Sequence, residues 1–593
     1  TLQMESNPKG KSSPSSASAS ARSTASGRSA SRREVERRHG RYLVGAAPRE
    51  LLPAGVSVAD PKAIFERLKT LPDVTFHREL AMSTNGPLAT FGTGAAQPSK
   101  IAVFEMPEDR AAALRQAPDV LIEPDRRLNV ADPALGAAGV LPDPGRLATP
   151  GETTSLSFTV QGRDGTGVAG ATVLVQGRNF PVQGITDQNG RVSVTLIADT
   201  PGTIQNVYVR PASDYWERSI DRPRLSASED NVIALEPLSQ LMPDFPSRQQ
   251  FTWGQRAMGI DRIPPTYRGD GVKIALIDSG VDVNHPDLKG RITAGFDLVD
   301  RAGRHWDTDE VGHGTHCAGT VTGADNGRGI IGIVPGAEIH VCKIFPGGRF
   351  SDLIEALDYC IQQKIDIVNL SLGADAGSIF VSRKIEEARQ AGVACIVAAG
   401  NVADQPVRFP GSLPTVFTVA ALGKADTFPA DSNHAEAVIG QPTLDGYFPA
   451  RFSCVGPEID AVAPGVAIVS SVPGGGYAAL DGTSMAAPHV TGLAGLILAH
   501  RADFRRPFVN PAERVQRLFD VLMACCRPLP EFGPGRAGAG LPDATQALGL
   551  AMAPAQIPRV AAPGAQVMTE VQLLLGTLRS AMERAGLSAA SVV

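Results

Sequence analysis

Hydrophobic and polar positions follow different periods in the two halves of the chain. Up to about residue 235 short stretches alternate apolar and polar side chains, as in Ser155–Val160 and Arg191–Leu196. From about residue 251 short, continuous apolar runs alternate with helical segments. Alternation is typical of strands buried on one face, and apolar runs are typical of strands buried on both faces. The pattern therefore predicts different folds for the two halves.

Residues 41–130 are predicted to form a small α+β domain. The predicted strands lie at 42–44, 75–82, 100–106 and 119–123, and the predicted helices at 60–71 and 107–116. Pro61 favours a helix start there, because proline lacks the N–H that the first helical turn leaves unpaired. The resulting order is β-α-β-β-α-β.

Residues 151–235 predict an all-β, immunoglobulin-like sandwich. Its alternating strands are separated by turn sequences, among them Asp164-Gly165 and Asn189-Gly190. We expect this domain to be a spacer or a docking module without chemistry of its own. Three segments are expected to lie outside the folded domains: a Ser/Arg-rich disordered tail at 1–40, a linker at 131–150, and a C-terminal tail at 551–593 with a helix at 568–586.

Residues 250–550 predict a larger domain in which strands and helices alternate. Apolar strands are predicted at 273–277, 338–342, 366–371, 393–397 and 416–420, and helices at 351–363, 380–391 and 484–500. This alternation is typical of an α/β fold with a doubly wound, mostly parallel sheet. In such sheets functional side chains lie beyond the carboxyl ends of the strands.

Composition excludes several classes of protein. The 593 residues are 43% hydrophobic and carry a net charge of −5, which argues against a nucleic-acid binder. No apolar run is long enough to predict a membrane-spanning helix. The seven cysteines include no CxxC pair, which favours reduced core thiols. No signal peptide is recognisable, so we expect a cytoplasmic protein or one exported by a non-standard route.

Polar motifs lie where the predicted α/β fold would gather function. Asp278 ends the first apolar strand, Asn401 follows the fourth, and His313 and Ser484 each open a predicted helix. Each motif is common by itself. Together, in the order Asp, His, Asn, Ser, the motifs resemble those of the subtilisin-like serine proteases, or subtilases, of peptidase family S8. The flanking residues His285-Pro-Asp-Leu288 and the run at 369–373 are part of this resemblance. The resemblance covers residues 250–548.

The resemblance implies a serine-protease mechanism. A serine hydroxyl is a weak nucleophile at neutral pH and needs a neighbouring base. Ser484 would be the nucleophile, His313 the general base and then acid, and Asp278 the group that orients the imidazole. The Asn401 side-chain amide and the Ser484 N–H would stabilise the oxyanion. This chemistry requires no cofactor.

The resemblance also implies a substrate cleft and a metal site. Ser371, Leu372 and Gly373 correspond to one edge of the family's cleft, and Gly347 and Gly348 to the other, with extended peptides pairing between them. Cys317, after the His-Gly-Thr-His motif, matches the thiol-containing, proteinase-K-like branch. Asp287 and Asn326 stand at the family's structural Ca²⁺ site, although a surface aspartate and a turn asparagine explain the same letters.

The N-terminal α+β unit resembles the inhibitor-I9-type propeptide of the same family. The resemblance rests on the element order and on the run from Asp119 to Asp125. It implies that the unit packs on the protease and places its tail, residues 126–131, in the cleft. We therefore expect self-cleavage between Val130 and Leu135.

Two features depart from the family pattern. The predicted β-sandwich separates the propeptide-like unit from the protease, and the connection at 421–451 is longer than usual. This connection carries Asp426, Asp431, His434 and Glu436. A surface loop is one interpretation of it, and a regulatory or partner surface is the other.

The predicted function is hydrolysis of protein or peptide substrates by a serine endopeptidase made as a self-processing zymogen. Two alternatives stay open: a narrow-specificity processing or signalling protease, and an inactive protease-fold binding protein. Digestion of casein separates a broad protease from a narrow one.

Overall fold

The computed structural model describes residues 39–47, 60–82, 99–130 and 153–550, except 302, 304 and 534. The predicted tail at 1–40, apart from its last two residues, the linker at 131–150 and the helix at 568–586 lie outside the described residues. Predictions for these segments stay predictions.

The N-terminal unit is a four-stranded antiparallel sheet with two helices. Its elements are β1 (His39–Ala46), α1 (Pro61–Lys69), β2 (Thr75–Met82), β3 (Ser99–Pro107), α2 (Glu108–Leu114) and β4 (Val120–Pro124). The strand order in the sheet is β2-β3-β1-β4. Asp60 caps α1 by accepting a hydrogen bond from the Lys62 N–H at 3.0 Å. Alternate residues of the sheet face opposite sides: Tyr42, Val44 and Phe104 pack with the helices, whereas Leu43 and Val103 belong to a second core.

Residues 153–235 form two sheets that share one apolar core. The strands, after the two-residue β5 (Asn129–Val130), are β6 (Thr153–Gly162), β7 (Thr172–Gln176), β8 (Val182–Ile185), β9 (Arg191–Ile197), β10 (Asn206–Arg210), β11 (Arg218–Asp221) and β12 (Asn231–Leu235). One sheet has the order β11-β10-β7-β8 and the other the order β12-β6-β9. The turn before β9 needs Gly190, whose φ of +76° is strained for residues with a side chain.

The remaining residues form an α/β unit around an eight-stranded, mostly parallel sheet. Its strand order is β14-β15-β13-β16-β18-β19-β20, with β21 also paired to β19, and only β20 is antiparallel. The elements are α3 (Trp253–Ala257), β13 (Lys273–Asp278), β14 (Ile292–Asp297), α4 (His313–Thr322), β15 (Glu338–Lys343), α5 (Phe350–Gln362), β16 (Ile367–Leu370), β17 (Leu372–Gly373), α6 (Ile379–Gln390), β18 (Ala394–Ala398), β19 (Phe417–Lys424), β20 (Tyr447–Pro449), β21 (Ala461–Pro464), β22 (Ile468–Val472), β23 (Gly476–Leu480), α7 (Thr483–His500), α8 (Pro511–Ala524), β24 (Cys526–Arg527), β25 (Leu541–Pro542) and α9 (Ala544–Ala547).

The central sheet is covered on both faces, which is why its strands read as continuous apolar runs. On one face α7 is buried from Thr483 to Leu498 and packs with α4. On the other face α5 and α6 share a core with Leu43, Ile101 and Val103 of the N-terminal sheet. That sheet is therefore buried on both of its faces, once by its own helices and once by the α/β unit.

The long connection at 421–451 is not simply a surface loop. Leu444 is fully exposed, as that interpretation requires, but His434 is only 1% exposed and β20 joins the central sheet. Within the described parts of the chain, no helix is both long enough and apolar enough to cross a membrane.

Candidate active site

Asp278 and His313 meet at the carboxyl end of the central sheet. Asp278 is the last residue of β13, and His313 is the first residue of α4. The His313 Nδ1–H donates to the Asp278 carboxylate, at 2.8 Å from Oδ1 and 3.0 Å from Oδ2. Both side chains are buried, with 6% of His313 and 1% of Asp278 exposed. The ion-pair geometry fixes one tautomer of the imidazole, with Nε2 as its basic nitrogen.

Ser484 lies at the start of the buried helix α7, next to the cleft edge at Ser371. Its Oγ donates to the Ser371 carbonyl oxygen at 3.3 Å, and the Ser371 hydroxyl donates to the Ser484 carbonyl oxygen at 2.9 Å. Helices α4 and α7 pack against each other, and Cys317 near the start of α4 lies 3.5 Å from the Ser484 carbonyl oxygen at the start of α7, so the two helix starts are close together. A serine at a helix amino terminus also feels the positive end of the helix dipole.

Thr483 fixes the orientation of the Asn401 side-chain amide. The Asn401 Oδ1 accepts from the Thr483 N–H at 2.9 Å and from the Thr483 hydroxyl at 2.8 Å. Because the oxygen end of the amide is held in this way, any contact of Asn401 with a substrate oxygen must use its NH₂ end. The structure thus gives the amide the polarity that an oxyanion donor needs.

Asp309 is a site residue that the sequence reasoning missed. Its buried carboxylate accepts from the Ser279 hydroxyl, from the Thr315 N–H and hydroxyl, and from the Gly312 N–H, at 2.7–2.9 Å. Ser279 in turn accepts from the Gly314 N–H at 2.9 Å. Burial raises the pKa of Asp309. An aspartate four residues before His313 was the available signal, since acidic residues favour helix amino termini.

Cys317 and the two other motif histidines are buried. Cys317 Sγ lies 3.7 Å from the Ser371 Oγ and 3.5 Å from the Ser484 carbonyl oxygen. Burial raises its pKa well above the usual thiol value, which keeps it protonated and unreactive. His316 contacts the carbonyl oxygens of β22 and β23, and burial lowers its pKa to about 3. Burial also lowers the pKa of His489, to about 4.

The tail of the N-terminal unit lies between the two predicted cleft edges. Residues Asn129 and Val130 of β5 pair antiparallel with Gly373 and Leu372. On the other side the Leu128 N–H donates to the Gly348 carbonyl oxygen at 2.8 Å, and Arg126 accepts from the Phe350 N–H at 3.0 Å. The tail is thus held by main-chain hydrogen bonds along both edges, as an extended peptide is when it adds to a sheet. Gly347 lies in the same edge loop but makes no described hydrogen bond to the tail.

Two carboxylates of the N-terminal unit cap two helices of the α/β unit. Asp125 accepts from the Ser351 N–H at 2.9 Å and from the Ser351 hydroxyl at 2.8 Å, at the start of α5. Glu123 accepts from the Ile379 N–H at 3.0 Å and the Phe380 N–H at 3.2 Å, at the start of α6. Burial raises the pKa of both carboxyl groups, while these hydrogen bonds lower it. Helix amino termini favour such negative charges.

Asp287 and Asn326 lie in contact in a loop region rich in oxygen atoms. The Asn326 NH₂ group donates to Asp287 Oδ1 at 3.2 Å, and the Tyr477 hydroxyl donates to Asp287 Oδ2 at 2.8 Å. The Gln249 NH₂ group points at the carbonyl oxygen of Ala324 at 2.6 Å. A buried carboxylate and a backbone carbonyl oxygen are ligands that suit Ca²⁺. The two amides turn their NH₂ groups to these atoms and would offer their own oxygens to an ion only after the amide groups are turned over.

The fold and this site define an α/β serine hydrolase. A family model described as "Subtilase family" matches residues 269–518. Subtilisin DY of Bacillus licheniformis is 34% identical over 240 residues, which are 39% of this chain and 78% of that protein. The intracellular serine protease of Paenibacillus polymyxa is 36% identical over 41% of this chain and 72% of its own length. Subtilisin E of Bacillus subtilis (strain 168) is 35% identical over 57% of its length.

The chain belongs to the subtilase family, and it is a subtilisin-like serine endopeptidase. The family match begins at residue 269, so the N-terminal unit and the two sheets of residues 153–235 lie outside it. Enzymes of this family need no cofactor for catalysis.

Proposed function

We propose that this chain is a self-processing endopeptidase that hydrolyses peptide bonds with Asp278, His313 and Ser484. The observation that carries this proposal is the pairing of tail residues 128–130 between the cleft edges, directly beside Ser371 and Ser484. A chain segment bound in this way is a substrate or product in place. Protein and peptide substrates, and the chain's own N-terminal unit, are therefore the proposed partners.

The proposed reaction follows from the roles of the three side chains. The Ser484 Oγ attacks the carbonyl carbon, and His313 Nε2 takes the hydroxyl proton while Asp278 stabilises the imidazolium. The Asn401 NH₂ group and the Ser484 N–H stabilise the negative oxygen of the tetrahedral intermediate. His313 then protonates the leaving amine, which departs as the acyl-enzyme forms. Water, deprotonated by His313, hydrolyses the acyl-enzyme and restores Ser484.

The pairing register supports one cleavage position. Asn129 lies opposite Gly373 and Val130 opposite Leu372. Along the cleft edge the residue next to Leu372 is Ser371, whose carbonyl oxygen contacts the Ser484 Oγ. We therefore assign the Ala131–Asp132 bond as the processing site, within the range predicted from the sequence.

A serine-directed fluorophosphonate probe tests the proposed function. We expect the probe to label Ser484 in the wild-type protein, and intact mass to show a chain cut after Ala131. Ser484→Ala should remain full length and unlabelled, whereas Ser412→Ala, in a loop away from α7, should behave as wild type. A folded wild-type protein that is neither labelled nor cut, before or after limited trypsin treatment, would contradict the proposal.

A narrow-specificity processing protease is the second candidate function. It is favoured by the Arg408 side chain, which packs against both Gly373 and Gly400 beside the cleft. A large side chain there reduces the space for the substrate residue before the cut bond. Casein separates the candidates: many fragments indicate a broad protease, and resistance combined with cleavage of a peptide spanning residues 126–135 indicates a narrow one.

We also propose that Asp287 and Asn326 hold a structural Ca²⁺ ion. The support is a buried carboxylate near a backbone carbonyl oxygen, each contacted by a side-chain amide that would present its oxygen to an ion once turned over. The ion would stabilise the loop that follows α4 and would take no part in proton transfer.

A further inference from the structure

The β-sandwich contacts the α/β unit through the segment at 213–219. The Asp214 N–H donates to the Tyr477 carbonyl oxygen at 2.6 Å, and the Tyr477 N–H donates back to Asp214 Oδ1 at 3.1 Å. The Ser219 N–H donates to the Asp431 carbonyl oxygen at 2.7 Å. Trp216 is 2% exposed and belongs to the main core of the α/β unit. Part of the contact between the sandwich and the α/β unit is therefore buried.

A cluster of buried polar side chains lies at the centre of this contact. The His434 Nδ1–H donates to Asp481 Oδ1 at 2.7 Å, and Glu217 Oε1 lies 3.6 Å from the same nitrogen. The Tyr208 hydroxyl donates to Glu217 Oε2. We call these four residues, Tyr208, Glu217, His434 and Asp481, the His434 cluster. Two members come from the sandwich, one from the 421–451 connection and one from the segment before α7.

The charges of the cluster are complementary across the contact. His434 faces Asp481 from the α/β unit and Glu217 from the sandwich, with Arg210 of β10 as a more distant positive charge and with Trp216 and Phe428 against its ring. Burial alone would lower its pKa, but the two carboxylates raise it to about 9. The imidazole is therefore positively charged at neutral pH. Burial raises the pKa of Glu217.

Asp481 connects the cluster to the catalytic serine segment. Its Oδ1 also accepts from the Ala467 N–H at 2.6 Å, and the next residue, Gly482, donates to the Gly465 carbonyl oxygen at 2.8 Å. Thr483 then holds the Asn401 amide, and Ser484 follows. A shift of Asp481 would therefore move the oxyanion donor and the nucleophile together. Misplacement by about 1 Å lowers enzyme rates by about 100-fold.

We propose that Glu217 of the β-sandwich is a positioning residue of this protease, acting through His434 on Asp481 and hence on Ser484. The inference rests on the proposed role of Ser484. By this inference the sandwich and the 421–451 connection belong to the active protease and are not removed with the N-terminal unit by processing. The N-terminal unit contacts the cleft edges, whereas the contacts of the sandwich given above are with Asp431, His434 and Tyr477.

Steady-state kinetics of the full chain test this inference. We expect Glu217→Gln and His434→Gln to lower kcat on a peptide substrate by about 10- to 100-fold at pH 7, with KM changed less than twofold. His434 has its pKa raised in the folded protein, so its contribution is complete below about pH 6.5 and is lost as pH rises through about 9. The ratio of wild-type to variant kcat should accordingly fall towards one above pH 9.

Asp431→Asn is the matched control. It removes an ion pair with Arg218 at 3.0 Å across the same contact, between side chains that are both exposed, and it should leave kcat within twofold of wild type. Glu217→Gln keeps the shape of the buried side chain, so it provides the test if His434→Gln does not fold. Wild-type kcat and pH profile in folded Glu217→Gln would overturn the inference. If Ser484→Ala remains active, the proposed function fails instead.

Discussion

Asn401 shows how a single side chain is given its polarity by its neighbour. Thr483 holds the amide oxygen with two hydrogen bonds, so the NH₂ end is the one that would donate to a substrate oxygen in the proposed mechanism. Such a donor is worth most in the transition state, where the negative charge develops.

Replacing Asn401 tests this donor directly. We expect Asn401→Ala to lower kcat by about 10²–10³-fold, the range known from removal of an oxyanion donor in subtilisin, with little change in KM. Thr483→Ser keeps the hydroxyl that holds the amide and should stay close to wild type. An Asn401→Ala enzyme with a wild-type kcat would exclude the amide from the oxyanion site.

Arg408 makes a second residue-scale prediction, about substrate choice. A Cβ at Gly400 would lie 2.6 Å from Arg408 Cγ, one at Gly373 would lie 3.2 Å from Arg408 Cβ, and Asp375 holds the guanidinium at 2.6 Å. The side chain therefore fills space between Gly373 and Gly400, which favours a small substrate residue before the cut bond.

We expect Arg408→Gly to increase kcat/KM at least tenfold for substrates with phenylalanine before the cut bond, relative to alanine. Removal of pocket-filling methylenes changes discrimination by about 10–200-fold. Arg536→Ala is the control, because Arg536 pairs with Asp404 at 2.7 Å in the neighbouring loop. An unchanged Phe/Ala ratio in Arg408→Gly would show that this side chain does not limit the pocket.

At the scale of elements, helix starts organise the site. Asp309 caps α4 and so positions His313, while Asp125 and Glu123 of the N-terminal unit cap α5 and α6. The same kind of interaction, a carboxylate at a helix amino terminus, thus serves both catalysis and docking.

The loop after α4 carries the prediction about calcium. If Asp287 and Asn326 bind Ca²⁺, chelation should lower Tm by about 5–10 °C, because an ion at about 100 times its Kd adds roughly 2.7 kcal/mol. Differential scanning calorimetry with EGTA or excess Ca²⁺ measures this shift. Asp287→Asn should abolish the response, whereas Asp325→Asn, which removes only an exposed pair with Arg268, should retain it. Equal Tm values in both conditions would contradict the site.

At the scale of the whole molecule, the N-terminal unit is held by an apolar face as well as by charges. Leu43, Ile101, Val103 and Leu128 share a core with α5 and α6, and Arg78 pairs with Asp352 at 2.7 Å. Apolar contacts resist salt, and a partly buried ion pair such as Arg78–Asp352 is screened less than an exposed one.

We therefore expect the two fragments produced by cleavage after Ala131 to remain together. Size-exclusion chromatography of probe-inactivated protein should show one peak that contains both fragments, at 0.15 M and at 1 M NaCl. Arg78→Ala should lower the affinity of the N-terminal fragment for the α/β unit, but the two fragments should still co-elute at low concentrations of salt. Separate peaks in 0.15 M NaCl would show that the apolar face alone does not hold the complex.

The sequence by itself predicted most strands of the central sheet and indicated the candidate catalytic residues. Buried strands such as Lys273–Asp278 have apolar runs, and the helices at His313 and Ser484 begin at motif residues, so both are local signals. The predicted strand at 366–371 is shorter, Ile367–Leu370, because Ser371 leaves the sheet to form the cleft edge. Strands β14 and β21 were not predicted, since β14 is only partly buried and contains a glycine, and β21 ends in a proline.

Only the tertiary structure decided which distant groups meet. Asp125 reaches Ser351, Arg408 reaches Gly400, and Glu217 reaches His434 and Asp481. None of these pairs has a fixed spacing along the chain, and in the sequence Asp125, Arg408 and Glu217 each look like ordinary surface charges. The free energy of burying a charge depends on the partners that folding brings to it. Local pattern contains no information about those partners, so only the packed molecule could reveal them.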